Sequence, residues 1–393
     1  MSSNHILLKA QALYPKLIQI YEQLHKIPEL AFEEFKTAEL LSQILVNEGF
    51  SKVRTAIAGT GLEVSIGNGS PIVALRADMD ALPIQEETGF AFSSVHDGQM
   101  HACGHDAHMT TLIGAGMLLK DALKEKQAGV KLIFQPAEES PPGGAKGMVE
   151  AGVLNQELKA IFALHCQPQY PAEVICLKDG PIMAAADMFT IEINGQGGHG
   201  AMPHQTMDAV VIGSQIVQEL QTIVSRRVDP LEPAVVTVGS FHAGSKNNII
   251  PGKAKLEGTV RTLNSQIRND MPALMEKIIS NVCASYDADY LFNYQWGYPP
   301  VVNDSNLLKV VERAAHKIVG HNQTLYADRP SMGGEDFSYY LEKVPGVFFY
   351  LGVGHENANL RHPWHHPCFQ IDTAALPIGA ATLAQAALEV IGG

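Results

Sequence analysis

The sequence has little of what defines several protein classes. It carries five cysteines in 393 residues, too few and too odd in number for a disulfide framework. No apolar run approaches the length of a membrane-spanning helix. The first residues lack the apolar core and the small-residue cleavage site of a signal peptide. We therefore expect a soluble, cytoplasmic protein with no membrane partner.

Basic residues are also in the minority. The chain has 28 Lys and Arg against 41 Asp and Glu, a net charge of −13, which argues against a nucleic-acid binder because such a protein shows a basic face. An anionic substrate stays possible, since one buried arginine can override the global field. The apolar fraction of 46% and the charged fraction of 18% are typical of globular proteins. The length predicts two domains, and no repeat or low-complexity segment is visible.

Short apolar runs alternate with helical stretches at both ends of the chain. This alternation predicts an α/β domain whose large, mostly parallel sheet is flanked by helices. The predicted helices cover residues 13–24, 33–48, 108–124, 146–151, 305–319 and 373–390, and the predicted strands are 72–75, 131–134, 161–164 and the run VFFYLG.

The pattern changes near residue 186. The runs MFTIEING, AVVTVGSF and AKLEGTVRT alternate apolar and polar residues, and helical stretches at 207–224 and 266–286 lie among them. This order predicts a small α+β domain with one antiparallel sheet. We place it at residues 186–296, inserted into a larger domain made of residues 1–185 and 297–393.

Side chains that commonly bind metals lie at the ends of three predicted strands. In an open α/β sheet, ligands bind outside the carboxyl ends of the strands. The runs VALRADMD, LIFQPAEE and IFALH each finish in acids or a histidine. The residues concerned are Asp78, Asp80, Glu138, Glu139 and His165.

Two loops add imidazoles and a thiol. HACGHDAH (101–108) enters a helix just after its polar cluster, and the proline-rich RHPWHHPCF supplies His362, His365 and His366. If all these segments meet at one sheet edge, they form a cluster of imidazole, carboxylate and thiolate, which suits zinc or a similar divalent ion.

The spacing inside two segments indicates a division of labour. Cys103 and His105 are two residues apart, so in extended chain both point to one side. Glu138 and Glu139 are adjacent and point apart, so one can bind metal while the other holds a water. Hydrolysis needs this arrangement, because a carboxylate must take a proton from water that the metal activates.

Other interpretations of these residues explain fewer of them than a metal site does. Each residue alone could be a surface histidine, a turn aspartate or a glutamate near a helix N-terminus. A thiol hydrolase with Cys103 as nucleophile leaves Glu138, Glu139 and His365 without a role. The match of GQGGHG to a dinucleotide fingerprint fails on context, because Pro203 interrupts the helix start. A flexible loop that carries His199 is the better interpretation.

The sequence resembles the co-catalytic metallopeptidase family that contains hippurate hydrolases, bacterial N-acyl-amino-acid amidohydrolases and plant auxin-conjugate (indoleacetyl–amino acid) hydrolases. The resemblance covers nearly the whole chain, and its motifs occur in order. They are LHKIPEL, RADMDALPI, HACGHDAH, QPAEE, ALH, GGHGAMPH, NIIP, GTVRT, GGEDFS and WHHPCF.

The resemblance implies that Glu138 is the general base and that Asp80 orients a metal-binding side chain. It implies a lid and dimerisation role for the inserted domain, and therefore a homodimer or higher homo-oligomer. His199, Asn248 and Arg261 match lid residues that meet the substrate, with His199 at the carbonyl and Arg261 at the carboxylate. The pair of divalent metals, zinc first and otherwise manganese, cobalt or nickel, would be held by Cys103, His105, Glu139, His165 and His365.

Two departures from the family pattern affect the site. WHHP stands where many members have Leu-His-Ser-Pro, so His366 competes with His365 as the ligand, and Gly334 stands where Ser is common. The expected reaction cleaves the amide of an N-acyl-L-amino acid (acetyl, benzoyl or indoleacetyl) to a carboxylic acid and a free amino acid. A dipeptidase, a deacetylase of an N-acetylated biosynthetic intermediate and a non-catalytic metal-binding scaffold remain alternatives.

Overall fold

The computed structural model describes residues 3–154 and 157–392. The chain forms two compact units. The larger consists of Met1–Ile182, Val301–Pro330 and Asp336–Gly393, and the smaller of Met183–Pro300 and Ser331–Glu335. No sequence pattern predicted that the chain returns to the smaller unit at 331–335. This return arises because Ala184 N donates hydrogen bonds to the carbonyls of Ser331 and Gly333.

Helices and strands alternate along the chain. The helices are α1 (Ser3–Ala12), α2 (Tyr14–His25), α3 (Phe35–Asn47), α4 (His105–Ala122), α5 (Gly144–Glu150), α6 (Ala209–Arg226), α7 (Ser265–Ala284), α8 (Ser305–Ile318), α9 (Ser338–Leu341) and α10 (Ala375–Gly392). The strands are β1 (Val53–Ile57), β2 (Gly61–Gly67), β3 (Pro71–Asp78), β4 (Gly129–Gln135), β5 (Ala160–Pro171), β6 (Ile175–Leu177), β7 (Gly180–Met183), β8 (Ala185–Asn194), β9 (Gly198–His199), β10 (Ala234–Ala243), β11 (Ile249–Ile250), β12 (Lys253–Thr262), β13 (Asp289–Tyr298), β14 (Val301–Asn303), β15 (Thr324–Tyr326) and β16 (Gly346–Gly354).

The larger unit is built on an eight-stranded sheet with the order β1-β2-β4-β3-β5-β16-β6-β15. The four central strands β4, β3, β5 and β16 pair in parallel, as do β6 and β15, whereas β1, β2 and the β16–β6 pair are antiparallel. The central strands are buried almost throughout, as parallel strands covered on both faces are. The predicted mostly parallel sheet flanked by helices is confirmed.

Two buried helices shape the core of this unit. Helix α4 is buried over its first turns, and α10 packs against it and against α8. We expected no run as long as a membrane span, and α10 corrects this, since its length and apolar composition would allow it to cross a membrane. However, 67% of it is buried inside the protein, as expected of a core helix.

The smaller unit is a four-stranded antiparallel sheet with the order β10-β12-β8-β13. Helices α6 and α7 pack on it and bury the apolar residues of their inner stripes, with Ile212 and Ile279 among them. Asp208 and Asn264 accept hydrogen bonds from the backbone N–H groups that begin the two helices. The expected antiparallel α+β unit is therefore present.

Two local expectations were wrong. Helix α4 begins at His105, three residues earlier than predicted, because Gly104 adopts a left-handed φ of 90° and turns the chain directly into the helix. Strand β5 continues past His165 to Pro171, because its backbone keeps pairing with β16 as far as that residue. His165 thus lies within a strand and not at its end.

Candidate metal centre

Five predicted metal ligands lie close together in the larger unit. Cys103 Sγ is 3.5 Å from His165 Nε2, and His365 Nε2 is 3.3 Å from Glu139 Oε1. His105 Nε2 is 3.9 Å from the same carboxylate oxygen. Donor atoms of Cys103, His105 and His165 lie within 4.8 Å of one another, as do those of Cys103, Glu139 and His365. The sequence segments that carry these residues therefore converge on one cluster.

A tight turn brings Cys103 and His105 to the cluster. They flank Gly104, so the extended geometry expected for the pair does not occur. A Cβ added at Gly104 would stand 3.1 Å from Cys166 Cβ, and the φ of 90° disfavours any side chain there. Only glycine fits this position without strain. The turn places the thiol just before α4 and the imidazole in its first turn.

Hydrogen bonds to backbone carbonyls fix the orientation of two imidazoles. His105 Nδ1 lies 2.8 Å from the Asp80 carbonyl, and His165 Nδ1 lies 2.9 Å from the Cys166 carbonyl. In the neutral form of each ring, Nε2 is then the nitrogen whose lone pair faces the cluster, which is the arrangement of metal-binding histidines. Within the described residues, His105 Nε2 is buried and has no hydrogen-bond partner. A set of thiol, imidazoles and carboxylate with such an orphaned atom fits a divalent metal.

Asp80 positions both glutamates through their backbone. Its Oδ1 accepts a hydrogen bond of 3.0 Å from Glu138 N, and its Oδ2 accepts one of 2.9 Å from Glu139 N. Asp80 and Glu138 are both buried. The carboxylate of Glu138 has an oxygen within 4.8 Å of donor atoms of His105 and Glu139. The loop after β4 thus holds the carboxylates of Glu138 and Glu139 side by side at a fixed place in the cluster.

His108 belongs to the surroundings of the cluster. Its Nδ1 lies 2.6 Å from Asp78 Oδ1, and its Nε2 accepts a hydrogen bond of 2.8 Å from Cys166 N. Both ring nitrogens are engaged, so the ring has no lone pair left for a metal. Asp78 also receives Arg76 Nη1 at 2.7 Å. Burial would raise the pKa of Asp78, but His105, His108 and Arg76 together hold that pKa well below its ordinary value.

The charges of the cluster favour a cation. Burial lowers the pKa of His105, yet Asp78, Asp80 and Glu139 outweigh it and raise that pKa to about 10. Burial, with Glu139 next, also raises the pKa of the Cys103 thiol well above its usual value. Without a metal, the negative charge of the carboxylates therefore favours the protonated forms of His105 and Cys103. A divalent cation replaces such protons when it binds, so binding releases them.

The structure distinguishes two adjacent histidines. His365 has a left-handed φ of 64°, and its N–H donates to the Ala102 carbonyl at 2.9 Å. This backbone directs His365 to Glu139. The Nδ1 of His366 instead accepts a hydrogen bond of 3.0 Å from Cys368 N. His365 is therefore the member of the pair that joins the cluster, and His366 lies among other residues.

The remaining predicted site residues lie in the smaller unit. His199 is in the short strand β9, paired with Ile249, and not in the flexible loop that we expected. Gly200 N donates to the Asn248 carbonyl at 2.9 Å, so His199 and Asn248 are neighbours. Arg261 lies on β12 in a different sheet, half-buried, with Nη1 3.2 Å from the Val260 carbonyl.

Two residues that were not predicted support the cluster from outside. Trp364 Nε1 donates at 2.7 Å to the same Cys166 carbonyl that orients His165. Glu34, fully buried, accepts a hydrogen bond of 2.8 Å from Ala137 N and holds that residue at a left-handed φ of 53° just before Glu138. The Trp of the WHHP motif was the sequence signal for Trp364. Glu34 lies at the start of a predicted helix, where no sequence signal distinguished it.

Comparisons with known proteins give consistent results. The sequence model of peptidase family M20/M25/M40 matches residues 74–389. N-acetyl-L-cysteine deacetylase of Bacillus subtilis is 41% identical over 93% of this chain and 85% of its own length. IAA-amino acid hydrolase ILR1-like 4 of Arabidopsis thaliana is 37% identical over 98% and 88%. The crystal structure of the Bacillus subtilis YXEP protein, described as a dinuclear metal-binding peptidase, superposes with a TM-score of 0.84 at 37% identity, covering 97% and 99% of the chains.

Proposed function

Because the chain belongs to peptidase family M20/M25/M40 and is a metal-dependent amide hydrolase, we propose that it cleaves the amide bond of N-acyl-L-amino acids. The products are a carboxylic acid and a free amino acid. The observation that carries the proposal is the pairing of a buried carboxylate, Glu138, with the metal donors of Glu139 and His105. The names of two relatives, a deacetylase of N-acetyl-L-cysteine and a hydrolase of IAA-amino acid, support the substrate class.

Two divalent metals fit this site. Cys103, His105, Glu139, His165 and His365 would hold them, and the dinuclear neighbour supports the number. Zinc is the first choice because of the thiolate, and manganese, cobalt and nickel are compatible with the imidazoles and the carboxylate. When bound, the metals supply a Lewis acid that polarises the substrate carbonyl and lowers the pKa of the attacking water.

Glu138 is assigned the proton transfers. Its carboxylate accepts the proton of the attacking water and then donates it to the nitrogen of the leaving amino acid. Asp80 keeps it in place through the backbone N–H of Glu138, so the reacting oxygen does not depend on a freely rotating loop. The buried position of Glu138 keeps bulk water from competing for the proton.

The smaller unit would recognise the rest of the substrate. Arg261 presents a guanidinium that suits the α-carboxylate of the amino acid, and His199 with Asn248 would meet the amide carbonyl. As a lid and dimerisation unit, residues 186–296 would allow His199 to act within one chain or across a homodimer interface. We also propose that the enzyme works in the cytoplasm on a small-molecule substrate.

The glutamate pair provides the test of the mechanism. Glu138→Gln should keep both metals and lose roughly 10²–10⁴-fold in kcat, because it removes only the general base. Glu139→Gln serves as the comparison and should lose metal as well as activity. Metal content by atomic emission and turnover should be measured on the same samples. Near-normal turnover by a fully metallated Glu138→Gln enzyme would overturn the assignment.

A panel of amides tests the substrate class. Acetyl, benzoyl and indoleacetyl conjugates of L-amino acids should be hydrolysed, and a chelator should abolish the reaction. Simple dipeptides and N-acetylated diamino acids belong in the same panel, because faster hydrolysis of either would favour the dipeptidase or biosynthetic deacetylase alternative. Arg261→Lys should then raise KM more for substrates with a free α-carboxylate than for the same substrates in which that carboxylate is replaced by a carboxamide.

A further inference from the structure

A second group of soft donors lies on the loop that carries His365. His362, His366 and Cys368, here called the loop cluster, each offer a donor atom, and the three atoms lie within 4.8 Å of one another. The two imidazole rings stack with centroids 4.4 Å apart and an interplanar angle of 14°. All three side chains are half-buried. None of them belongs to the donor set assigned to the catalytic metals.

The loop cluster has the chemistry of a transition-metal site. One thiol and two imidazoles are the donors that zinc and its neighbours prefer. Their present bonds are easily replaced. Cys368 Sγ is 3.6 Å from the Glu87 carbonyl, and the His366 Nδ1 lone pair faces only the Cys368 N–H. His316 and His321 form another stacked pair, with ring centroids 3.8 Å apart.

We propose that the loop cluster binds one divalent transition ion, zinc being the reference case, at a site additional to the catalytic metals. The thiol loses its proton to solvent as the ion binds, and the two imidazoles and the thiolate supply three ligands. Water or a surface oxygen completes the coordination, as in other zinc sites with an open position.

Binding at the loop cluster acts on His365. Lone pairs of imidazoles lie in the ring plane, so two nearly parallel rings cannot both point at one ion. His362 and His366 must turn when the ion binds. His365 lies between them in the sequence, and its left-handed backbone has little freedom to compensate. Excess zinc therefore displaces a catalytic ligand and lowers turnover.

Equilibrium dialysis against zinc measures the number of sites. The full-length His362→Gln and Cys368→Ser proteins should each bind one zinc ion fewer than wild type. His321→Gln is the matched control, because it removes an imidazole from a stacked pair outside the loop cluster, and it should bind as many ions as wild type. Equal zinc binding by wild type and both loop-cluster variants overturns the proposal.

Alkylation of Cys368 locates the ion independently of activity. Cys368 is the half-exposed cysteine, whereas the other four are buried, so a thiol reagent and peptide mapping can follow it alone. A metal-bound thiolate reacts poorly, and zinc at about ten times its dissociation constant should slow labelling roughly tenfold in wild type. The same zinc should leave the labelling rate unchanged in His362→Gln. A labelling rate of wild type that zinc does not slow would contradict the site.

Turnover in excess zinc tests the coupling. Wild type and His321→Gln should lose activity as zinc fills the loop cluster, and Cys368→Ser should resist this inhibition while keeping its activity at low zinc. Inhibition that is identical in all three proteins would overturn the coupling. Failure of the proposed substrates would not affect the dialysis and labelling results, so the two proposals fail separately.

Discussion

Nδ1 of His25 lies 2.6 Å from Oδ2 of Asp106, which ties helix α2 to the first turn of helix α4, one residue after His105. The other ring nitrogen of His25 is 3.2 Å from Glu86 Oε1. His25 and Asp106 are almost fully buried. Asp106 therefore belongs to a buried ion pair and directly follows the candidate metal ligand His105, so this pair holds the first turn of α4 in place.

The His25 pair predicts a pH-dependent stability. Burial lowers the pKa of His25, but Asp106 and Glu86 outweigh it and raise the pKa from 6.5 to about 9. The stabilisation is complete below the unfolded-state value of about 6.5 and is lost as pH rises through 9. The difference in unfolding free energy between wild type and His25→Gln should therefore fall by about 3 kcal/mol from pH 6 to pH 10. Urea unfolding at each pH measures it, and a constant difference would contradict the pairing.

Asp80→Asn should reduce turnover without unfolding the protein. The substituted amide presents an N–H₂ group to a backbone N–H, so one of the two glutamates loses its anchor. Hydrogen bonds to a charged group are worth roughly 1.5–3 kcal/mol, which predicts a loss in kcat of about 10- to 100-fold. Steady-state kinetics measures the effect. The exposed Asp97→Asn is the control, and unchanged kcat in Asp80→Asn would refute the positioning role.

Trp364→Phe should weaken metal binding selectively. Phenylalanine keeps the edge-on ring contact with His165, whose centroid is 5.0 Å away, and loses the hydrogen bond to the Cys166 carbonyl. A neutral hydrogen bond of roughly 0.5–1.5 kcal/mol corresponds to a metal dissociation constant that is about 2- to 10-fold higher. Competition with a chromophoric chelator measures it. The exposed Trp296→Phe should bind metal as wild type does, and equal affinities for both variants would exclude the role of Trp364.

Asp336→Asn should destabilise the larger unit. The carboxylate is fully buried, with Oδ1 3.0 Å from Arg76 Nη2 and Oδ2 2.9 Å from Ala145 N. The change removes one of the two buried carboxylates that balance the Arg76 guanidinium, the other being Asp78, and the expected loss is roughly 3 kcal/mol. Thermal and urea unfolding report it. Glu389→Gln breaks the surface pair with Lys317 and should cost less than about 1 kcal/mol. Comparable effects of both changes would contradict the argument.

The sequence predicted much of the architecture, because hydrophobic periodicity reports which face of each element is buried. It could not locate the end of β5, since a buried parallel strand has no alternation that would mark where His165 lies. The structure brings Cys103, His105 and Glu139 together, as the convergence of their segments at one sheet edge suggested, although the extended geometry assumed for Cys103 and His105 does not occur. A left-handed turn at Gly104 produces the same convergence.

Other features depend on contacts between distant segments. The register of the motif favoured His365 as the ligand but left His366 as an alternative, and the left-handed backbone at His365 separates the two. The bond from Trp364 to the Cys166 carbonyl joins residues that are 198 positions apart, and no local pattern reports such a bond. Glu34 supports the loop before Glu138 from 103 positions away. Support of a site is a tertiary property, whereas candidate ligands can be recognised by residue type.

The placement of β16 affects how the protein is made. This strand lies between β5 and β6, in the middle of the large sheet, yet the segment Met183–Pro300 of the smaller unit is synthesised between β5 and β16. Until β16 emerges, β5 presents an open strand edge beside His165. Domains fold as units during synthesis, and unpaired edges promote aggregation. The smaller unit can acquire most of its contacts first, so the nascent chain passes through a stage in which the antiparallel sheet can be complete while β5 still lacks its neighbour β16.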